Sequence, residues 1–294
     1  MLSPAKNRLF NILLADDGSL NARAAAQLLA DLPHDPASLI TALRVFTPIQ
    51  GSEYADVEAE SVQLKNLLKS RHIHFHMELL MGYPSERIAE YAREHAPDLI
   101  VMGAKGSGTF GGMLGSVAMN IVHEGRWPVL IVHQPYKGLK RVLLVIDGSA
   151  ASQYTCDYMA AFPLPAGTDI EVLHVVPAVH SLYLVEPTGL ALPVLTSEDE
   201  QRLRLENEVH GKEVLEHVRT QLEKNGLNVN TVLRVGNPGE QILNYVKDAD
   251  IDLIVCGSRG AGNLTGWLLG SISRDIVQHA PCSVLVVRGP AETK

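Results

Sequence analysis

Short apolar runs rich in Val, Ile and Leu recur along this chain, separated by stretches whose apolar residues return every three or four positions. The first kind reads as buried strand and the second as amphipathic helix. The pattern predicts strands near 10–16, 39–46, 73–80, 98–103 and 128–133, with helices near 20–31, 54–70, 85–95 and 116–125. It then starts again, with strands near 141–147, 169–176, 229–235, 252–257 and 283–288, and helices near 150–161, 198–224, 239–248 and 271–279. Strands alternating with helices call for parallel α/β sheets with right-handed crossovers, which bind ligands at the carboxyl ends of their strands.

The two series are copies of each other. Leu13-Leu14-Ala15-Asp16-Asp17-Gly18-Ser19 returns as Leu143-Leu144-Val145-Ile146-Asp147-Gly148-Ser149. Gly82-Tyr83-Pro84-Ser85-Glu86-Arg87-Ile88 returns as Gly236-Asn237-Pro238-Gly239-Glu240-Gln241-Ile242. Pro97-Asp98-Leu99-Ile100-Val101-Met102-Gly103 returns as Ile251-Asp252-Leu253-Ile254-Val255-Cys256-Gly257, and Val129–Val132 returns as Val284–Val287. The order is the same in both halves, as internal duplication requires. Two domains are expected, 1–137 and 138–294, joined around Gln134-Pro135-Tyr136-Lys137-Gly138.

The chemistry concentrates after the fourth strand of each copy. In the second half a β-branched run ends at Cys256-Gly257, breaks into the loop Ser258-Arg259-Gly260-Ala261-Gly262, and restarts as helix at Gly270-Ser271-Ile272. Strand, glycine loop and helix start present bare N–H groups to an anion, and the helix N-terminus adds roughly half a positive charge. This reads as a phosphate cradle. Gly257 and Gly260 are separated by two residues, and nine more precede Gly270-Ser271. The first half carries Gly103, Gly106 and Gly115-Ser116, but only eight residues separate Gly106 from Gly115.

These residues, in this order, resemble the universal stress protein family in its tandem form, over nearly the whole chain. The resemblance implies two tandem doubly wound domains, each a five-stranded parallel sheet of order 3-2-1-4-5 flanked by helices. It also implies ATP as ligand, with Mg2+ or Mn2+ alongside. Asp147 and Asp17 are then beside the nucleotide, Val175 and Val45 at the adenine edge, and Cys256 and Met102 near the base. The phosphates fall to Gly257, Gly260, Gly270, Ser271 and neighbouring Ile272 and Arg259, with Gly103, Gly106, Gly115 and Ser116 as first-half counterparts. Each has a plainer alternative. The aspartates suit turns before the N-caps Ser19 and Ser149, the valines, Met102 and Cys256 suit a core, and Arg259 or Lys105 suits an exposed solubilising charge. Ser271 and Ser116 either cap a helix or contact phosphate. The full second-half pattern makes that half the expected ATP site, while the short first loop leaves the first half open.

Bulk properties remove other classes. A net charge of −8 argues against a general nucleic-acid binder. No apolar run approaches the ~20 residues of a membrane span, and the N-terminus lacks the apolar core of a signal peptide. Cys156, Cys256 and Cys282 have no metal spacing and read as buried thiols, which suits the cytoplasm. Gly106-Ser107-Gly108-Thr109-Phe110-Gly111 spells G-x-G-x-x-G but follows the fourth strand, not the first, and is rejected as a dinucleotide fingerprint. His72, His74 and His76 share one face of a strand, yet their counterparts Gly226, Asn228 and Asn230 are not ligands, so a solvated edge is expected. An apolar insertion, 178–195, has no first-half counterpart and could cover nucleotide, the other domain or another subunit.

The family's last strands, here 129–133 and 284–288, pair across dimers. In a tandem chain that pairing is expected to be internal, a pseudo-dimer, with a further homodimer open. The expected function is a cytoplasmic, nucleotide-dependent regulatory or stress-response module acting on a protein partner not identified by sequence. No P-loop and no second catalytic group accompany Asp147, so catalysis is at most slow ATP hydrolysis. A scaffold with degenerate nucleotide sites is the remaining alternative.

Overall fold

A computed structural model describes residues 11–34, 38–47, 62, 64–69, 73–106, 114–124, 126–179, 183–185, 191–193, 196–260 and 269–289. In the first half β1 (Asn11–Ala15), α1 (Leu20–Asp31), β2 (Leu39–Phe46), β3 (Phe75–Met81), α2 (Pro84–His95), β4 (Leu99–Gly103), α3 (Ser116–Glu124) and β5 (Val129–Val132) follow one another. The second half runs β6 (Arg141–Ile146), α4 (Ala150–Ala161), β7 (Asp169–Val176), β8 (Tyr183–Val185), β9 (Ala191–Pro193) and α5 (Ser197–Lys224). It ends with β10 (Val229–Val235), α6 (Pro238–Asp248), β11 (Leu253–Gly257), α7 (Ser271–His279) and β12 (Ser283–Val287). Of the helix expected at 54–70, residues 64–69 are helical and 48–61 lie outside the described residues.

Counted within its own half, each set of strands runs 3-2-1-4-5. The expected internal pairing of the last strands joins the two five-stranded sets into one sheet of order β10-β7-β6-β11-β12-β5-β4-β1-β2-β3. The join is antiparallel, Val284 opposite Ile131 and Val286 opposite Val129, whereas the other pairs of this sheet are parallel. Pairing the last strands hides two edges that would otherwise expose unpaired backbone groups. Across the join, the Tyr158 hydroxyl donates to the Asp98 carbonyl at 3.2 Å and His133 N–H donates to Ser283 Oγ at 3.3 Å.

Side-chain alternation along each strand feeds two apolar layers. One packs α1, α4 and α5 against residues such as Leu14, Leu130, Leu144 and Leu285; the other packs α2, α3, α6 and α7 against Leu13, Ile131, Leu143 and Val284. Both layers continue across the join. Helix starts follow local chemistry: Ser19 Oγ accepts from Ala22 N–H, Ser149 Oγ from Ser152 N–H, and Thr196 forms a capping box with Asp199. The insertion contributes the β8–β9 antiparallel hairpin, tied to α5 where Arg204 donates to the Val179 carbonyl. Its residues 180–182, 186–190, 194 and 195 lie outside the described ones. Among the described residues no helix is long and apolar enough to cross a membrane.

Candidate functional site

Each half has a cleft where β1 and β4, or β6 and β11, part company, at the carboxyl ends of the strands. The first, about 820 Å³, is lined by Asp17, Val45, Met102, Gly103, Gly106, Gly115 and Ser116. The second, about 1070 Å³, is lined by Asp147, Val175, Cys256, Gly257, Arg259, Gly260, Gly270, Ser271 and Ile272. Every residue singled out from sequence thus falls on one of two clefts. The loop interiors 107–113 and 261–268 lie outside the described residues, so the one-residue difference in loop length has no structural description.

The floor is built identically. A Cβ on Gly260 would lie 2.6 Å from Asp147 Oδ2, and one on Gly106 would lie 2.7 Å from Asp17 Oδ2. Glycine lets the loop backbone approach the carboxylate this closely. Gly103 sits under the start of α1, where a Cβ would be 2.7 Å from the Asn21 carbonyl carbon. Gly115 and Gly270 close the loop by donating N–H to the carbonyls of Ala104 and Ser258, each at 2.8–2.9 Å. The cap position of α7 is Gly270, with no side-chain cap bond, so Ser271 is the first helical residue and not the cap. Its hydroxyl is not the Ncap group that sequence left open, and the helix start faces the cleft.

The aspartates make turn bonds to the N-cap serines. Asp147 Oδ1 accepts from Ser149 N–H at 3.0 Å and from Ser149 Oγ at 2.6 Å, while Asp17 Oδ1 accepts from Ser19 N–H at 3.0 Å. In the first half Ser19 Oγ turns instead to the Lys105 carbonyl at 3.2 Å. Met102 and Cys256 are buried in the apolar layer beneath the cleft, and burial pushes the Cys256 thiol up to about 12. The expectation of Arg259 as an exposed solubilising charge is corrected: it is half-buried and lines the cleft, as does Lys105 in the first half.

Sequence reasoning overlooked Asp16. It lines the first cleft, buried, and accepts from Arg44 Nε at 3.1 Å and from Arg44 Nη2, while its Oδ1 accepts from Gly18 N–H at 3.1 Å. The signal was present in the repeat, where Ile146 and His174 stand at the matching positions. His74 just before β3 and His76 on that outermost strand are exposed, and His72 lies outside the described residues. All three cysteines are free thiols.

A duplicated doubly wound sheet with a glycine-lined cleft in each half defines a tandem α/β architecture. The sequence pattern described as "Universal stress protein family" matches residues 9–133 and 138–288, and the chain belongs to that family. Universal stress protein Mb2028c of Mycobacterium bovis is 27% identical over 98% of this chain and 99% of its own length. The crystal structure of a universal stress protein from Archaeoglobus fulgidus superposes with a TM-score of 0.61 at 22% identity, covering 96% of this chain and 99% of that one. That likeness shows the fold. An Arabidopsis thaliana family member, solved with AMP bound, is 21% identical and covers 52% of this chain and 94% of its own, at TM-score 0.38.

Proposed function

We propose that this chain is an adenine-nucleotide-binding regulatory module of the stress response, with ATP in the second cleft and two units, 1–137 and 138–294. One observation carries the reading: a Cβ on Gly260 would lie 2.6 Å from Asp147 Oδ2, so this glycine lets the loop backbone approach the carboxylate closely, beside a helix start that no side chain caps. A cradle of N–H groups and a helix N-terminus favours phosphate over neutral ligands. The base lies over Cys256 with its edge toward the Val175 backbone, and the phosphates run toward Gly260, Gly270 and Ser271. Asp147 and the phosphates together supply the hard oxygen ligands that Mg2+ or Mn2+ takes. The first cleft repeats the floor and takes nucleotide through Asp17, Gly106, Gly115 and Ser116.

Bound nucleotide orders the glycine loop and shifts which surface a protein partner meets. Burial of free thiols suits a reducing cytoplasm. Titration tests the reading. Millimolar ATP is expected to raise the melting temperature of the wild type and of Gly115→Val, and to raise that of Gly270→Val less, through the first cleft alone. Ligand at 100 times its Kd stabilises by about 2.7 kcal/mol. A Cβ on Gly270 meets nothing closer than 3.5 Å, so this variant keeps its fold. No rise in any of the three proteins overturns the proposal.

A further inference from the structure

The β5–β12 join leaves β3 and β10 as the two ends of the sheet. An edge strand presents a row of unpaired N–H and C=O groups, which proteins commonly blunt with lysine or proline. β3, Phe75-His76-Met77-Glu78-Leu79-Leu80-Met81, carries neither. Among the described residues no strand lies on its outer side. Leu79 is 49% exposed there and Met81 70%.

The pleat decides which groups point outward. Gly82 N–H donates to the Phe46 carbonyl at 2.7 Å, so even positions turn their backbone groups toward β2 and odd positions turn theirs away from it. The odd positions Phe75, Met77, Leu79 and Met81 are all apolar, and Phe75 and Met77 pack on the layer that holds Leu14. The even positions put His76 and Glu78 on the other face, His76 Nε2 3.4 Å from Glu78 Oε1, with the Tyr91 hydroxyl beside Glu78.

Antiparallel pairing of β3 with a second β3 must match odd positions with odd. With Met77 opposite Met77 of the second copy, Phe75 meets Leu79 and His76 meets Glu78, twice each by symmetry. The apolar pairs are then the hydrogen-bonded ones, and the imidazole–carboxylate pairs occupy the closer, non-hydrogen-bonded sites. Moving the axis one residue either way sets His76 against His76 or Glu78 against Glu78. β10 offers no such register, because Arg234 is its one charged residue and has no acid to meet.

We infer that the outer edge of β3 is a self-recognition surface, across which two copies of this chain join as an antiparallel homodimer centred on Met77. Opposite charges and apolar side chains set directly across a sheet stabilise it, and like charges there destabilise it. The same patch serves both copies, so this contact closes at two. It needs no nucleotide and stands whether or not the clefts bind one.

The test is the mass of the full chain by analytical ultracentrifugation over a concentration series. The wild type is expected to be a dimer that dissociates on dilution. His76→Glu sets two carboxylates against each other at both sites and is expected to weaken the dimer about tenfold. Adding Glu78→Lys creates Glu–Lys pairs and restores the dimer, which a misfolded variant cannot do. Register is read separately. Oxidised Met77→Cys is expected to cross-link, because hydrogen-bonded partners lie ~5.5 Å apart at Cα, within disulfide reach, whereas Leu79→Cys does not. A monomer at every concentration, a dimer indifferent to His76→Glu, or no cross-link through position 77 overturns the inference. Growth into filaments also overturns it, in favour of head-to-tail pairing of β3 with β10.

Discussion

Beneath the first cleft Asp16 and Arg44 form a buried ion pair across the ends of β1 and β2, whereas Ile146 and His174 occupy the matching places in the second half. His174 Nδ1 lies 3.0 Å from the Ile146 carbonyl oxygen, and Gly211 brings α5 so near that a Cβ would lie 3.2 Å from His174 Cδ2. The same strand ends are thus closed once by paired charges and once by close packing under a 28-residue helix. The cleft floors remain alike: Asp17 on Gly106, Asp147 on Gly260. Duplication has kept the groups that face a ligand and changed those that support them.

Breaking the ion pair has the largest expected effect. Asp16→Ala leaves Arg44 buried and uncompensated, and removal of one partner of such a pair costs about 3–5 kcal/mol. Urea denaturation reads this out, and a loss under ~1 kcal/mol would contradict the pair's role. Transplanting the second-half solution, Asp16→Ile with Arg44→His, recovers most of that loss, because replacing both charges avoids the desolvated orphan.

Next come the glycines that follow β4 and β11. A Cβ on Gly103 meets backbone of α1 at 2.7 Å, while one on Gly257 meets the Thr155 hydroxyl at 3.0 Å and the Arg259 carbonyl at 3.2 Å. Overpacking costs about 1–3 kcal/mol, so Gly103→Ala is expected near the upper end and Gly257→Ala near the lower. Equal melting temperatures for the two variants would sink this distinction.

The halves also differ in alkali. All three thiols lie in the second half, each raised to about 12, chiefly by burial. A raised folded pKa contributes stability that is present below the unfolded value of about 8.5 and lost as pH climbs toward 12. Removing one thiol with Cys256→Ala should flatten the fall between pH 8.5 and 9.5 by about 1 kcal/mol. Parallel pH profiles for wild type and variant would refute it.

Much of this was legible before the structure. The apolar period located β2 and β7 to the residue, because continuous Val-Ile-Leu runs bounded by polar turns leave little freedom. Pairing of β5 with β12, and with it the single ten-stranded sheet, was what the family resemblance implied for a tandem chain. What sequence did not convey was contact through space. Asp16 had no role legible in sequence, because its partner Arg44 lies 28 positions on.

The most direct test of the nucleotide claim needs no added ligand. Protein purified without nucleotide is denatured, and what it releases is identified and counted by chromatography. The account predicts ATP, at one per chain or more, that survives Gly115→Val and is reduced by Gly270→Val. Release of no adenine nucleotide, together with an unchanged melting temperature in millimolar ATP, would contradict it.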